Sequence, residues 1–247
     1  MSPKTRNTPF DKDPRAVAHL RRADPVMAGI IDRIGKPTMR DQMVSDFESL
    51  GRAILYQQLA GAAALAIEKR FRAIFNADGA TPADAPGKGK GARSLPDLLP
   101  FPTPEQLLAK DEETLRAAGL SRQKTAYLKD LAAHFADGRL KDKELDKLSD
   151  EEVVERVVQV KGIGRWTAEM FLMFQLRRPD ILPVDDLGVR NAFKRMYGLE
   201  EVPGAEKMRE LAEPWRPYRS LGTWYLWQSF DFVLMGEDNR PRTRPSS

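Results

Sequence analysis

The chain contains no cysteine and only two histidines, His19 and His134, among its 247 residues. Without cysteine there can be no disulfide, no thiolate zinc site, no Cys-ligated iron–sulfur cluster and no cysteine nucleophile. The two histidines lie far apart in the sequence and lack the neighbouring acidic residues of a metal-binding motif. The composition therefore argues against a metal enzyme and against a Ser-His-Asp hydrolase.

Long apolar runs are also missing, because no segment approaches the roughly 18 apolar residues of a membrane span. The first ten residues lack the apolar core of a signal peptide, so a cytoplasmic location is expected. Lys and Arg number 40 against 36 Asp and Glu, which gives a net charge of +4. This small basic excess is compatible with nucleic-acid binding but is equally typical of an ordinary basic surface.

Signals for helix starts and ends recur along the chain, whereas the alternating Val, Ile and Thr of β-strands are missing. Three segments begin with a predicted capping box, a hydroxyl residue followed three positions later by Glu or Gln: Ser45 with Glu48, Thr103 with Gln106, and Ser149 with Glu152. From Arg122 the apolar residues recur at helical spacing, and Gly138 follows as a predicted C-cap. The predicted fold class is therefore all-α.

We expect four consecutive parts of the chain: residues 1–44, 45–178, 179–236 and 237–247. The first is a helical segment, with helices at Pro14–Ala23 and Pro25–Ile34, that packs with the third part, the C-terminal lobe. The second is a central helical lobe, interrupted at 76–100 by a predicted flexible loop with four Gly and four Pro. The last part carries three arginines and two prolines and is predicted to be disordered.

The segment from 157 to 190 carries the clearest functional signal. An apolar helix is expected to end at Lys161, the glycines of 162–164 then form a tight turn, and a second helix begins near Arg165. Glycines permit left-handed dihedral angles and leave the backbone bare, so amides at the start of the second helix can point at a phosphate while Ile163 packs inward. The alternative is a plain turn between two packed helices.

Two consecutive aspartates, Asp185 and Asp186, follow Pro183 at the start of another predicted helix. One carboxylate at such a position is most simply an N-cap that satisfies backbone amides. A second carboxylate next to it is left for another role.

The sequence KGIGRWTAEMFLMF followed by LPVDDLGVR resembles the helix-hairpin-helix and Gly/Pro-Asp signature of the helix-hairpin-helix DNA glycosylase superfamily. The tryptophan after GIGR makes it most similar to the AlkA-type DNA-3-methyladenine glycosylase II branch. SLGRAILYQQLAGAAA, FPTPEQL and WRPYRSLGTWYLW are similar to further segments of that branch, so the resemblance extends from Phe47 to Trp227. It implies a two-lobed all-α fold, a DNA-binding cleft between the lobes and a hairpin motif near residues 151–174.

The resemblance implies a monofunctional glycosylase of base excision repair that flips out alkylated bases such as 3-methyladenine and 7-methylguanine. Hydrolysis of the N-glycosidic bond would leave an abasic site. One carboxylate suffices, because an alkylated purine already carries positive charge and leaves without a strong general acid. In the AlkA branch, the spacing between the residue that matches Trp166 and the catalytic aspartate favours Asp186 here, with Asp185 as cap or support. Counting back from Arg190, as in the endonuclease III branch, selects Asp185 instead.

The resemblance also assigns the remaining site residues. Leu59, with Gln58 beside it, is the expected wedge that fills the stack vacated by the flipped base, although a core leucine under solvated glutamines is the alternative. The expected base pocket is aromatic and comprises Tyr56, Trp166 and Trp227. Contacts with DNA phosphate are expected from the hairpin residues Lys161, Gly162, Ile163, Gly164, Arg165 and Thr167.

Further expectations concern what the enzyme would lack. Bifunctional relatives place a lysine at the position of Trp166, so no Schiff base and no lyase activity are expected. No cofactor or metal is expected to be required, although the hairpin carbonyls could hold a monovalent cation.

We also expect a bacterial-type, nucleoid-associated monomer that acts on double-stranded DNA. The N-terminal β-rich domain of the AlkA protein is not expected in it.

Two other functions remain open from the sequence. The chain could be a non-catalytic helix-hairpin-helix DNA-binding module in which the aspartate pair only caps a helix. It could instead be a glycosylase for another class of lesion, since pocket shape sets base specificity.

Overall fold

The computed structural model describes residues 9–39, 44–76 and 99–236, with side chains up to Phe230. All regular structure in these ranges is helical, which confirms the all-α prediction. The α-helices are, in chain order, α1 Pro14–Ala23, α2 Pro25–Ile34, α3 Asp46–Tyr56, α4 Gly61–Phe75, α5 Pro104–Ala109, α6 Glu112–Ala117, α7 Arg122–Ala136, α8 Asp150–Val157, α9 Arg165–Phe174, α10 Leu187–Met196, α11 Ala205–Ala212 and α12 Arg219–Gly236. Most of the predicted loop 76–100 and all of the predicted tail 237–247 lie outside the described residues.

The described residues divide into two compact units. The first combines residues 9–39 with 177–236, so α1 and α2 belong to the same unit as α10, α11 and α12. The second unit comprises residues 44–76 and 99–176 and contains α3 to α9. The units divide at residues 39/40 and 176/177, whereas the expected divisions were 44/45 and 178/179.

Two aspartates begin the helices of the N-terminal segment in the first unit. Asp13 accepts a hydrogen bond from the N–H of Arg15 at 2.9 Å, and Asp24 accepts one from the N–H of Val26 at 2.8 Å. A proline follows each aspartate at the first helical position, where its missing N–H costs nothing. Asp24 also accepts from the Nε1–H of the fully buried Trp215 at 2.8 Å. The same carboxylate therefore caps α2 and joins it to the C-terminal part of this unit.

Aromatic rings lie at the centre of the second unit. Phe101 lies between Phe47 and Phe71, with ring centroids 5.7 Å and 5.4 Å apart respectively. Helix α7 packs against both α3 and α5 around this cluster. This arrangement makes α7 the central helix of the unit.

Two of the three predicted capping boxes are complete, and a tertiary contact alters the third. The capping boxes that begin α5 and α8 are present as predicted. At the start of α3, Ser45 accepts from the N–H of Glu48 at 3.0 Å, but the Glu48 carboxylate accepts from Arg72 at 2.6 Å. An ion pair with a buried arginine has replaced the reciprocal half of the capping box.

The helix before the glycine hairpin is shorter than expected. It ends at Val157 rather than at Lys161, and Val158 is its C-cap. The chain then turns through residues 159–164 before α9 begins at Arg165, as predicted.

Within the described part of the chain, none of the helices is both long and apolar enough to cross a membrane.

Candidate functional site

The two aspartates before α10 have different environments in the first unit. Asp186 is the N-cap of α10, is only 8% exposed, and accepts from the N–H of Val189 at 2.7 Å through Oδ1. Asp185 is exposed. Asp185 was expected to serve as cap or support, and the first of these is wrong, because the capping position is the residue directly before the first helical residue, Leu187.

Trp227 of α12 contacts the same carboxylate oxygen. Its Nε1–H donates to Oδ1 of Asp186 at 3.1 Å, so an indole expected as a pocket wall also fixes the orientation of the carboxylate. Gly188 makes this approach possible. A Cβ at Gly188 would lie 3.0 Å from Oδ1 of Asp186 and 3.4 Å from Nε1 of Trp227. Sequence reasoning missed Gly188, although a glycine in the first turn of a helix is a signal of close approach.

The segment leading to Asp186 is held by the first turn of α12. Arg219 donates from Nε to Oδ1 of Asp180 at 2.7 Å and from Nη2 to the carbonyl of the same residue at 2.9 Å. Ser220 donates through Oγ to the carbonyl of Arg178 at 2.7 Å and accepts from the N–H of Ile181 at 2.9 Å. The helix that supplies Trp227 therefore also holds the chain that enters α10. These residues were not predicted, because they are about forty positions apart in sequence.

The glycine hairpin lies in the second unit, between α8 and α9. Gly162 has a φ of +83°, and a Cβ there would lie 2.1 Å from the ring of Tyr127 on α7. Ile163 is buried, as predicted. Gly164 is the N-cap of α9, and no side chain caps this helix. The first turn of α9 therefore presents backbone amides without a capping side chain, which is the arrangement that binds anions.

The predicted phosphate contacts differ in how accessible they are. The side chain of Lys161 is 74% exposed, with its ammonium 3.8 Å from Asp130. Arg165 donates to Glu151 at 3.0 Å, and its side chain is 53% exposed. Thr167 is buried, so its contribution is limited to the backbone amide at the third position of α9. Sequence alone does not distinguish these three cases.

Tyr56, at the end of α3, is anchored to a buried cluster of charges. Its hydroxyl donates to Oε2 of Glu68 at 2.7 Å, and burial together with this hydrogen bond raises the pKa of Tyr56 above its usual value. Glu68 has no solvent exposure, accepts a hydrogen bond from Arg72 at 2.6 Å and forms an ion pair with Arg52 at 3.1 Å. A buried carboxylate requires such partners, and here two cations supply them. The phenol is consequently fixed as a neutral donor at this end of α3.

Two large apolar side chains expected to meet DNA are exposed in this unit. Trp166 on α9 is 46% exposed, and Leu59, between α3 and α4, is 38% exposed. Leu108 and Val158 of the same unit are exposed to a similar extent, 37% and 38%, so exposure is compatible with the expected role of Leu59 but does not distinguish it from an ordinary surface residue. The interpretation of Leu59 as a core residue is wrong.

The predicted residues divide between the two units. Asp186 and Trp227 meet in the first unit, whereas Tyr56, Leu59, Trp166 and the hairpin belong to the second.

Among the described residues, no group of three or more His, Cys, Asp or Glu side chains could hold a metal ion. The hairpin carbonyls of Val160 and Gly162 each accept a hydrogen bond from the protein. The monovalent cation stays a prediction.

Comparison with known proteins gives consistent matches. The family model described as HhH-GPD superfamily base excision DNA repair protein matches residues 52–217. The curated DNA-3-methyladenine glycosylase 1 of Schizosaccharomyces pombe is 34% identical over 231 residues, which cover 92% of this chain and 92% of that relative.

Solved structures agree with these sequence matches. The Schizosaccharomyces pombe 3-methyladenine DNA glycosylase Mag1, in complex with abasic DNA, matches with a TM-score of 0.70 at 34% identity over 88% of this chain and 97% of that one. A DNA-3-methyladenine glycosidase from Bacillus halodurans matches with a TM-score of 0.75 at 30% identity, covering 91% and 93% of the two chains.

Proposed function

The chain belongs to the HhH-GPD superfamily of base excision DNA repair proteins, and we propose that it is a DNA glycosylase for alkylated bases. Its substrates would be 3-methyladenine, 7-methylguanine and similar bases in double-stranded DNA. The products would be the released base and an abasic site. Similarity to relatives named DNA-3-methyladenine glycosylase supports this substrate class.

The observation that carries the proposal is the carboxylate of Asp186, fixed by the N–H of Val189 and the indole of Trp227. Two hydrogen bonds to one oxygen hold the carboxylate in a single orientation before substrate binds. Such preorganised charge is effective against a positive charge that develops only during the reaction. Asp186 is therefore our proposed catalytic residue.

The reaction needs little acid catalysis. In an alkylated purine nucleotide the base is cationic, so the bond between C1′ and the base nitrogen can break with its electron pair returning to the base, which leaves neutral. The deoxyribose then carries oxocarbenium character, which the Asp186 carboxylate stabilises. Water adds to C1′ through its oxygen, and its proton passes to Asp186 or to solvent. The sum is hydrolysis with one water consumed.

The second unit supplies the proposed contacts with DNA. The hairpin amides and Lys161 bind the phosphate backbone, which positions the enzyme without reading sequence. Flipping a base out of the duplex costs a few kcal/mol of stacking and pairing. Leu59, with Gln58, fills the space that the flipped base leaves. Tyr56 and Trp166 contribute to the base pocket. An aromatic face stacked on a cationic base gains about 0.5–2 kcal/mol over a neutral base.

We propose further that the enzyme has no lyase activity. Trp166 provides an indole, which cannot form a Schiff base with the deoxyribose. The abasic product would therefore remain intact until it is treated with alkali.

The direct test is release of methylated bases from alkylated duplex DNA, identified by chromatography. Wild-type protein should release 3-methyladenine or 7-methylguanine, and strands should break only after alkali. Unmethylated duplex is the matched control. DNA binding without release of any methylated base would contradict the proposal and favour another lesion class or a non-catalytic binding module. Strand breaks before alkali would contradict only the absence of lyase activity.

The non-catalytic module has one observation in its favour, namely that Asp186 caps α10. A cap needs an acceptor but not a charge, and Asn is as good an N-cap as Asp. Substitution of Asp186 by Asn therefore separates the two functions.

A further inference from the structure

The connection between α3 and α4, residues 57–60, carries Leu59 and has an unusual backbone conformation at the residue before it. Gln58 has a φ of +56°, a left-handed value that is uncommon for a residue other than glycine. Leu59 follows it and is exposed. A short connection of this kind needs support from neighbouring elements to keep one conformation.

Lys124 of α7 supplies the first support. Its Nζ donates to the carbonyls of Leu55 and Gln57, each at 2.7 Å, at the end of α3. The last carbonyls of a helix lack partners within the helix and attract a cation. Burial lowers the pKa of Lys124. Helix α7 thus fixes the point at which the chain leaves α3.

Gln57 supplies the second support and links the connection to the hairpin. Its side-chain Nε2–H donates to the carbonyl of Gly162 at 2.8 Å, across 105 residues of sequence. Gly162 is the hairpin residue with positive φ, and it lies against Tyr127 of α7. The connection and the hairpin are therefore hydrogen-bonded to each other directly.

Three residues of α7 hold both elements. Lys124 binds the end of α3, Tyr127 lies against Gly162, and Asp130 accepts from the backbone N–H of Lys161 at 2.9 Å. Intervals of three place these residues along one side of the helix. The wedge connection and the hairpin therefore rest on a common support.

We infer that Gln57 and Lys124 are positioning residues that hold Leu59 at a fixed offset from the phosphate-binding hairpin. This inference rests on the proposed function, in which the hairpin binds the DNA backbone and Leu59 enters the base stack. Once the hairpin has bound the backbone, the bond from Gln57 to Gly162 determines where along the duplex Leu59 enters. Because Gln57 acts only through Leu59, loss of the Gln57 side chain should slow base release only from duplex DNA, where a wedge is needed.

The first test compares base release under single-turnover conditions from two DNAs, a fully paired duplex and a single strand with the same lesion. Gln57→Ala should lose about tenfold in rate on the duplex and less than twofold on the single strand. Lys124→Met should show the same pattern. Gln106→Ala is the matched control, since it removes a glutamine hydrogen bond to the backbone of Thr103 in the same unit. It should match wild type on both DNAs.

A double-mutant cycle tests whether Gln57 acts through Leu59. The loss caused by Gln57→Ala should disappear in a Leu59→Ala background, because residues that act as a unit are not additive. Equal losses on both DNAs, additive losses with Leu59→Ala, or wild-type rates in both Gln57→Ala and Lys124→Met would overturn the inference. Gln57→Glu, which is nearly isosteric and cannot donate, replaces Gln57→Ala if that variant does not fold.

A binding measurement keeps this test independent of base release. A 2-aminopurine placed beside an abasic-site analogue in duplex DNA should brighten when wild-type protein binds and unstacks it. The signal should be lost with Leu59→Ala and reduced with Gln57→Ala, while DNA affinity is kept. If wild type inserts Leu59 but releases no base, the proposed function fails and the inference stands. A wild-type signal from Gln57→Ala would overturn the inference alone.

Discussion

The start of α10 and the connection between α3 and α4 each position one side chain proposed to act on DNA, and they do so in opposite ways. Asp186 is buried and is fixed through its own carboxylate, by the amide of Val189 and the indole of Trp227. Leu59 is exposed, and its backbone is held from outside by Gln57 and Lys124. A charge can be oriented directly by hydrogen bonds. An apolar wedge cannot, so its position depends on the chain that carries it.

The largest effect on stability is expected where the hairpin lies against α7. Gly162→Ala places a methyl group on the ring of Tyr127 at a position with positive φ, so the ring or the hairpin must move. We expect a loss of about 2 kcal/mol in the free energy of unfolding and weaker DNA binding. Urea denaturation and a DNA titration measure these two quantities.

Gly164→Ala is the matched control for that variant. A Cβ at Gly164 has no atom within 4 Å, and φ is −94°. The expected cost is about 0.5 kcal/mol, from the weaker capping preference of alanine. Similar losses for both glycines would show that the contact with α7 does not hold the hairpin.

A smaller effect, confined to activity, is expected from the indole that contacts Asp186. Trp227→Phe keeps an aromatic ring and removes the Nε1–H donor. Loss of one hydrogen bond to a charged group should lower the rate of base release about tenfold, with little change in DNA affinity. Trp224→Phe, a buried tryptophan on the same helix, is the control and should keep the wild-type rate. A wild-type rate for Trp227→Phe would contradict a role of the indole N–H in orienting the carboxylate.

The smallest effect is expected at Gly188, where a methyl group would crowd both Asp186 and Trp227. Gly188→Ala should lower the rate of base release about threefold through a displacement of a few tenths of an ångström. The free energy of unfolding should stay the same or rise, because alanine favours helices. Gly29→Ala in α2, with no atom near its new Cβ, is the control for the helix effect alone. A lower stability for Gly188→Ala would point to general misfolding instead.

Much of the fold could be predicted because its signals are local. Prolines after Asp13 and Asp24, and capping boxes at two other helix starts, require only a few neighbouring residues to be read. The hairpin glycine and the inward side chain of Ile163 follow from similar short-range rules. The resemblance to a glycosylase family then supplied roles for these elements.

The remaining features depend on packing between distant segments. Glu48 was expected to complete a capping box, but its carboxylate pairs with the buried Arg72 instead. Asp185 and Asp186 could not be distinguished by local rules, since either could cap the helix. The bond between Gln57 and Gly162 joins residues 105 positions apart, and no pattern in the sequence marks it.

The central claim is that the charge of Asp186, rather than its capping role, serves the reaction. The most direct measurement is the single-turnover rate of 3-methyladenine release by Asp186→Asn, beside Asp185→Asn and wild type. Asparagine keeps the cap and the acceptor for Trp227, so unfolding and DNA binding should be unchanged. We expect Asp186→Asn to lose about 10²–10³-fold in rate and Asp185→Asn to retain the wild-type rate. A wild-type rate for Asp186→Asn would contradict the account.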